Sequence, residues 1–265
     1  MDYELFSLFR SFLAWDKKPF QTPALYQPPV VVCNLMKKLL LILLLLKSVF
    51  SFCQDFNYPT ILKEGKNIQD FLPLNWDILN SVNGDLNNDG KDDIAFVLQY
   101  KDSVTIRNYK NGENAEDTLI TTKPRILGIA FKNQENNNFR IAEQSNTFIL
   151  CHDNPSYLDP FTRIRIENGI LIIDFHLHYI EGGWWFINST FKFWYRNNDF
   201  FLIGIDSHSE SMVPEEGEEY SINFLTRKYE RNGFKSDFDL KELKTFKTFS
   251  RPLQFTWRLN NEISL

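Results

Sequence analysis

The sequence predicts an all-β fold: an antiparallel meander that forms a degenerate propeller-like arrangement or a curled sandwich. Three observations predict it. Turn-forming clusters recur roughly every 8 to 15 residues along the chain, the spacing of short strands joined by tight turns. The segments between them are rich in β-branched and aromatic residues, which suit a pleated, half-buried surface. Asn168-Gly169 stands between Arg163–Ile166 and Ile170–Tyr179, and Asn-Gly between such segments is the strongest short-range hairpin signal. No helical pattern alternates with the strands, as a parallel sheet would require.

In chain order, residues 1–35 read as a non-native extension outside the folded protein. They hold scattered aromatics, Pro19, Pro23, Pro28 and Pro29, and no sustained period. From Met36 the chain has the layout of a secretory signal peptide: basic Lys37 and Lys38, apolar Leu39–Leu46, then a short polar stretch to Cys53. The apolar run is shorter than the ~20 residues of a spanning helix, and Lys47 interrupts it, so no membrane span is expected after processing. Two cleavage routes are open. Ser51 and Cys53 are small residues at the −3 and −1 positions of a signal peptidase I site, which would release Gln54 onward. A lipoprotein would instead keep Cys53 as an acylated anchor, although Phe52 is large for the position before such a cysteine. Release to the periplasm or the exterior is favoured, with a membrane-anchored lipoprotein as the alternative. Residues 36–53 are thus the signal peptide and 54–265 a single β-rich domain.

That domain is about 212 residues long, enough for one core. Removing the leader takes the basic and acidic totals from 29 and 34 to 23 and 31, a net charge of about −8. This argues against nucleic acid and anionic membrane surfaces as partners. Cys151 is then the lone cysteine, has no partner for an internal disulfide, and reads as a buried, inert thiol.

Residues 55–70 read as a loosely held polar lead-in. Trp76–Val82 reads as a strand, and Ile94–Tyr100 with Val104–Tyr109 as a hairpin pair. Asn111–Asp117 is a polar turn region. Arg125–Phe131 is a short apolar strand, and Gln134–Asn138 a loop. Phe139–Ala142 and Thr147–Cys151 follow as strands before the breaks at Asn154-Pro155 and Asp159-Pro160. After the Asn168-Gly169 hairpin, Phe191–Arg196 and Phe200–Ile205 flank a tight turn at Asn197–Asp199. Ser221–Arg231 reads as one strand bounded by Asn232-Gly233, Asp239–Thr248 as the one helix, and Leu253–Leu259 as a final strand.

The sharpest chemical signal lies between the first two of these strands. Asp85, Asn87 and Asp89 occupy positions 1, 3 and 5 of a loop, Gly90 position 6, Lys91 position 7 and Asp93 position 9. Calcium is a hard cation that takes six to eight oxygens, and short oxygen-bearing side chains at alternate positions of a tight loop can surround it. Position 12, where an EF-hand needs a bidentate Glu, is Phe96, and a strand rather than a helix follows. The competing reading is a metal-free turn, since Asp and Asn bond their own backbone. A cation here would be structural rather than catalytic.

A DxNxDGxxD loop running into a strand resembles the calcium loops of FG-GAP and VCBS repeat proteins. The resemblance covers Gly84 to about Leu98 and implies Ca²⁺ ligands at Asp85, Asn87, Asp89, Lys91 through its carbonyl, and Asp93. No second copy of the loop is present, so a propeller of identical blades is not implied. The wider chain, at Asn146–Cys151, Asp159–Phe161, Gly182–Trp184 and Phe200–Gly204, resembles exported bacterial proteins that carry one such loop and have no assigned activity.

Other groupings point less sharply. Asp174, His176 and His178 share one face of a strand; with Glu181 they could hold zinc, or they form a solvated face. Gly182–Phe186, with Trp194 and Tyr195 near, could bind a sugar or protein, or pack a core that draws on 25 Phe. Glu215–Glu219 reads as a solvated acidic loop. Ser207, His208, Ser209 and Glu210 alternate on a strand and make no triad. The favoured function is a non-enzymatic, calcium-stabilised binding or structural module of the envelope or periplasm, with an unidentified protein or glycan partner. The alternative is a secreted hydrolase or carbohydrate-active enzyme with a site near His176 and His178.

Overall fold

The computed structural model describes residues 56–108, 118–179, 185–212, 215–239 and 245. All lie within a unit spanning Cys53–Leu265. Among the described residues every strand pairing is antiparallel and no α-helix occurs, so the all-β class predicted from turn spacing is the class observed. The first sheet holds β1 (Glu64–Gly65), β2 (Trp76–Gly84), β3 (Asp93–Tyr100), β6 (Arg125–Lys132) and β7 (Phe139–Ser145), in the order β1-β7-β6-β3-β2. Between β3 and β6, β4 (Val104–Asn108) and β5 (Thr118–Thr122) form a separate hairpin. The second sheet is an unbroken meander of β8 (Phe161–Glu167), β9 (Ile170–His178), β10 (Trp185–Arg196), β11 (Asp199–Met212), β12 (Glu215–Asn223), β13 (Lys228–Arg231) and β14 (Phe234–Asp237). One of the sheets curls into a half-barrel.

Two kinds of strand build these sheets, and the residues say why. In β3 and β6 nearly every residue is buried, because both faces are covered. Ala95, Val97, Leu127 and Ile129 face a core shared with the second sheet. Ile94, Phe96, Leu98, Ile126 and Ala130 face a smaller core closed by Ile61, Phe71 and Trp76. In β9 Leu171, Ile173 and Phe175 turn inward; Ile172 on the opposite face is buried as well, and Asp174, His176 and His178 further along that face are half-buried. Phe148 sits in the shared core, with the rings of Phe193, Phe191 and Phe175 at 5.0, 5.2 and 6.2 Å. The sheets meet along β2 and β8, where the Ile164 amide donates to Asn80 Oδ1 at 3.4 Å.

Three hairpin turns have both central residues at positive φ: Asn168 (52°) and Gly169 (75°), Asn197 (51°) and Asn198 (62°), Asn232 (46°) and Gly233 (81°). That is the turn class whose twist matches the flanking strands. The Asn197 turn therefore has two residues rather than three, and Asp199 already begins β11.

Several expectations are corrected. β3 does not pair with β4: β2 and β6 flank it, and β4 pairs with β5. The chain turns away at Lys101 and Asp102, which bond the Asn75 carbonyl and side chain. Thr147–Cys151 is not a strand. Phe148 and Ile149 are consecutively buried, and its backbone serves side chains instead of a ladder: Phe148 N donates to Ser145 Oγ, and the Leu150 carbonyl accepts from Arg125. Ser221–Arg231 is two strands, divided by a turn in which the Thr226 amide donates to Asn223 Oδ1 and Arg227 has φ 55°. Glu215–Glu219 belongs to β12, not a loop. Residues 56–70 are docked rather than loosely held. Ile61 is buried, Phe56 and Tyr58 pack on Trp76, and a 3-10 turn at Ile68–Phe71 is capped by Asn67. Of the expected helix at 239–248 only Asp239 and Thr245 are described; Thr245 forms an isolated β-bridge with Phe201. Residues 1–55, 109–117 and 246–265, with the expectations placed on them, lie outside the described residues.

Candidate functional site

The Asp85–Asp93 loop joins β2 to β3 and closes on its own backbone. Asp85 accepts from the Asp89 amide through Oδ1 at 3.1 Å and from the Gly90 amide through Oδ2 at 2.9 Å. Asn87 Oδ1 accepts from the same Asp89 amide at 2.9 Å, and Asp89 Oδ1 from the Lys91 amide at 3.0 Å. Asn88 and Gly90 supply the left-handed backbone, φ 60° and 83°, that lets the chain coil so tightly. Lys91 extends its ammonium to the Gln134 and Asn133 carbonyls at 3.0 and 3.4 Å, stapling the loop to the β6–β7 turn.

Among the described acidic residues Asp93 alone is fully buried. Its Oδ2 accepts from the Leu86 and Asn87 amides at 2.9 and 3.3 Å, and its Oδ1 from Lys132 N at 2.9 Å. Burial pushes the carboxyl up to about 6, against the opposing pull of these amides. Asp93 therefore ties the β2–β3 loop to the end of β6.

The donor set suits a hard cation: carboxylate, amide and carbonyl oxygens, with no nitrogen or sulfur ligand among the expected residues. A carboxylate offers about four acceptor sites. Asp85 and Asp89 each use two and Asp93 three, so every carboxylate keeps spare capacity. The carboxylates do not converge. Among the described residues no group of three or more His, Cys, Asp and Glu side chains has metal-holding geometry.

The second candidate, on the outer face of β9–β11, is a set of paired charges. Asp174 accepts from Arg165 Nε at 2.9 Å, Arg163 Nε at 3.0 Å and Thr190 Oγ1 at 2.9 Å. These partners hold its carboxyl below the usual range despite burial. His176 Nδ1 lies 2.6 Å from Asn188 Oδ1, with the His178 ring 5.9 Å away. His208 Nε2 is 3.5 Å from Glu210, and Lys192 pairs with Asp206. Asp174, His176 and His178 do share a face, but Asp174 is spent on two arginines rather than turned to the histidines. Glu181 and Gly182–Trp184 lie outside the described residues. Of the nearby aromatics, Tyr195 packs against Phe131 at 4.6 Å and Phe200 at 5.0 Å, and Trp194 carries Arg196 over its ring.

No family model matches this chain, and no curated protein or solved structure matches it.

One polar cluster escaped sequence reasoning. Arg125, 2% exposed, holds Asp159 through both guanidinium ends, along with Gln99 and the Leu150 carbonyl. An arginine opening an apolar strand reads as a surface residue. Only Asp159-Pro160, thirty-odd residues on, hinted at a fixed turn that could receive it.

Proposed function

We propose that this chain is an exported β-domain, stabilised by calcium at the Asp85–Asp93 loop, and a non-enzymatic binding or structural module of the envelope or periplasm. One observation carries the reading. The loop places Asp85, Asn87 and Asp89 in one tight coil with unused oxygen lone pairs, at the corner where β2 enters β3. A cation there would neutralise the carboxylates and brace the junction. The outer face of β9–β11 supports the same reading, since its charges are matched across strands as on a presented surface. Its partner would be a protein or glycan.

The test is thermal unfolding of the purified chain in EDTA and then with Ca²⁺. A ligand that binds only the folded state must raise the melting temperature with concentration. A rise specific to Ca²⁺ over Mg²⁺ and lost in Asp89→Ala is expected. An unchanged melting temperature at millimolar Ca²⁺ would leave a metal-free turn.

A further inference from the structure

We propose that the outer face of the first sheet also accepts residues 56–71 of a second copy of this chain, so that two copies exchange this segment about a hinge at residues 73–75. The partner is read from the occupant already seated on the face. Residues 56–71 lie across it as a strap. Ile61 and Phe71 are buried in one cluster with Phe96, Leu98 and Ile126, and the Phe71 ring stacks on Phe96 at 5.7 Å. Phe56 lies 5.2 Å from the Tyr100 ring and 6.2 Å from that of Trp76. The strap also pairs with β7: Glu64 stands opposite Arg140 and Gly65 opposite Phe139, and the Lys63 carbonyl accepts from the Ile141 amide at 2.9 Å. Gln144 brackets it, accepting from the Ile61 amide at 3.0 Å and donating to the Pro59 carbonyl at 2.8 Å. Each of these contacts joins the strap to the part of the chain that follows residue 75. The same set forms when strap and sheet belong to different copies, so a second copy is complementary to this face.

The connection between strap and sheet is short and strained. Residues 73–76 close a turn in which the Trp76 amide donates to the Pro73 carbonyl at 3.2 Å. Its third residue, Asn75, has φ 70°, a conformation that asparagine tolerates less well than glycine. Opening the turn relieves that strain, and short strained connections are where segments exchange between copies. Straightened, three residues span about 10 Å. A strap freed in this way points away from its own sheet and reaches a copy packed hinge to hinge. Leu74, at the apex, is 96% exposed, more than any other large hydrophobic residue among those described. In an exchanged pair the two hinges lie side by side about the two-fold axis, and there the two Leu74 side chains cover each other.

The experiment uses the full chain carrying either Glu64→Cys or Arg140→Cys. Both positions are exposed and stand opposite each other in the strap–β7 register, within the reach of a disulfide. The two variants are mixed, refolded from urea at high protein concentration and oxidised. A covalent dimer joined through positions 64 and 140, mapped by peptide mass spectrometry and absent when either variant is treated alone, is expected. That linkage forms between chains only when the strap of one lies on β7 of the other. Both substitutions in one chain fasten the strap to its own sheet, and oxidised before concentration this double variant is expected to lose the dimer that the wild type shows in size-exclusion chromatography with light scattering.

The hinge moves the balance in opposite directions. Asn75→Gly relaxes the closed turn and is expected to lower the dimer share about 3-fold. Asn75→Pro fixes φ near about −65°, cannot close the turn, and is expected to raise the share at least about 3-fold. A mixture without the 64–140 linkage, a dimer joined through other positions only, or a wild type that stays monomeric after refolding at high concentration overturns the proposal. Equal dimer shares in wild type and Asn75→Gly overturn the role of the hinge. If circular dichroism shows that Asn75→Pro does not fold, the mixed-variant disulfide and Asn75→Gly decide alone. No ligand enters these measurements, so their outcome is independent of the calcium reading.

Discussion

Arg125 ties the first sheet to the irregular stretch that follows β7 and to Asp159. Its guanidinium donates to Asp159, Gln99 and the Leu150 carbonyl, and it lies over the Phe161 ring at 5.8 Å. It holds the irregular stretch that carries Phe148 into the core. Removing one partner of a buried ion pair leaves the rest desolvated and unpaired, at a cost of about 3–5 kcal/mol when both are buried. The Asp159 side chain is 48% exposed, so Arg125→Met is expected to cost about 3 kcal/mol, toward the low end of that range. A urea denaturation midpoint, compared with wild type at unchanged slope, checks it. Cys151 lies close by. Burial pushes its thiol up to about 11, which keeps it protonated and unreactive at neutral pH.

At the scale of elements, one close approach governs how the central strands of the first sheet pack. Gly128 of β6 stands opposite Phe96 of β3 in the register. A Cβ on Gly128 would lie 2.3 Å from the Phe96 ring, which itself stacks on Phe71 at 5.7 Å. No rotamer adjustment of a fully buried ring absorbs that overlap cheaply. Gly128→Ala is expected to destabilise by about 1–3 kcal/mol, as overpacked cores do, and to lower the melting temperature. The paired variant Gly128→Ala/Phe96→Leu should recover part of the loss by making room. Equal melting temperatures for wild type and Gly128→Ala would show that the docked segment around Phe71 gives way freely.

At the scale of the whole molecule, two sets of carboxylates give stability opposite pH dependences. Asp159 and Asp174 are held below the usual range by arginines. A carboxyl depressed in the folded state adds stability above its unfolded value near 3.8, and that stability is lost as pH falls through the folded value. Asp93 is raised from 3.8 to about 6, so it binds its proton first in the folded state. Its contribution is present below 3.8 and lost as pH rises through 6, by up to about 3 kcal/mol. In EDTA, stability should therefore climb from pH 7 to a maximum between about 4 and 6, then fall steeply below 4. Chemical denaturation at half-unit pH steps checks this. A curve flat from pH 4 to 7 would mean that the three amides on Asp93 outweigh its burial.

The sequence by itself determined the antiparallel all-β class, the two-residue turn at Asn168-Gly169, the chain break at Asn232-Gly233, the alternation of β9 from Ile173 to His178, and the oxygen donors of the Asp85–Asp93 loop. These follow from backbone sterics and side-chain period, which act over a few residues and are written in any short window. Only the tertiary structure decided that β3 lies between β2 and β6, that residues 56–71 seal the outer face of the first sheet, and that Arg125 reaches Asp159. Ile94–Leu98 is apolar on both faces, and such a strand accepts a neighbour on either edge and a cover on either side. Which segment arrives depends on how the whole chain fills the remaining space. Pairing, burial of polar side chains and the bracing of the loop are properties of packing between distant residues, and no local pattern encodes them.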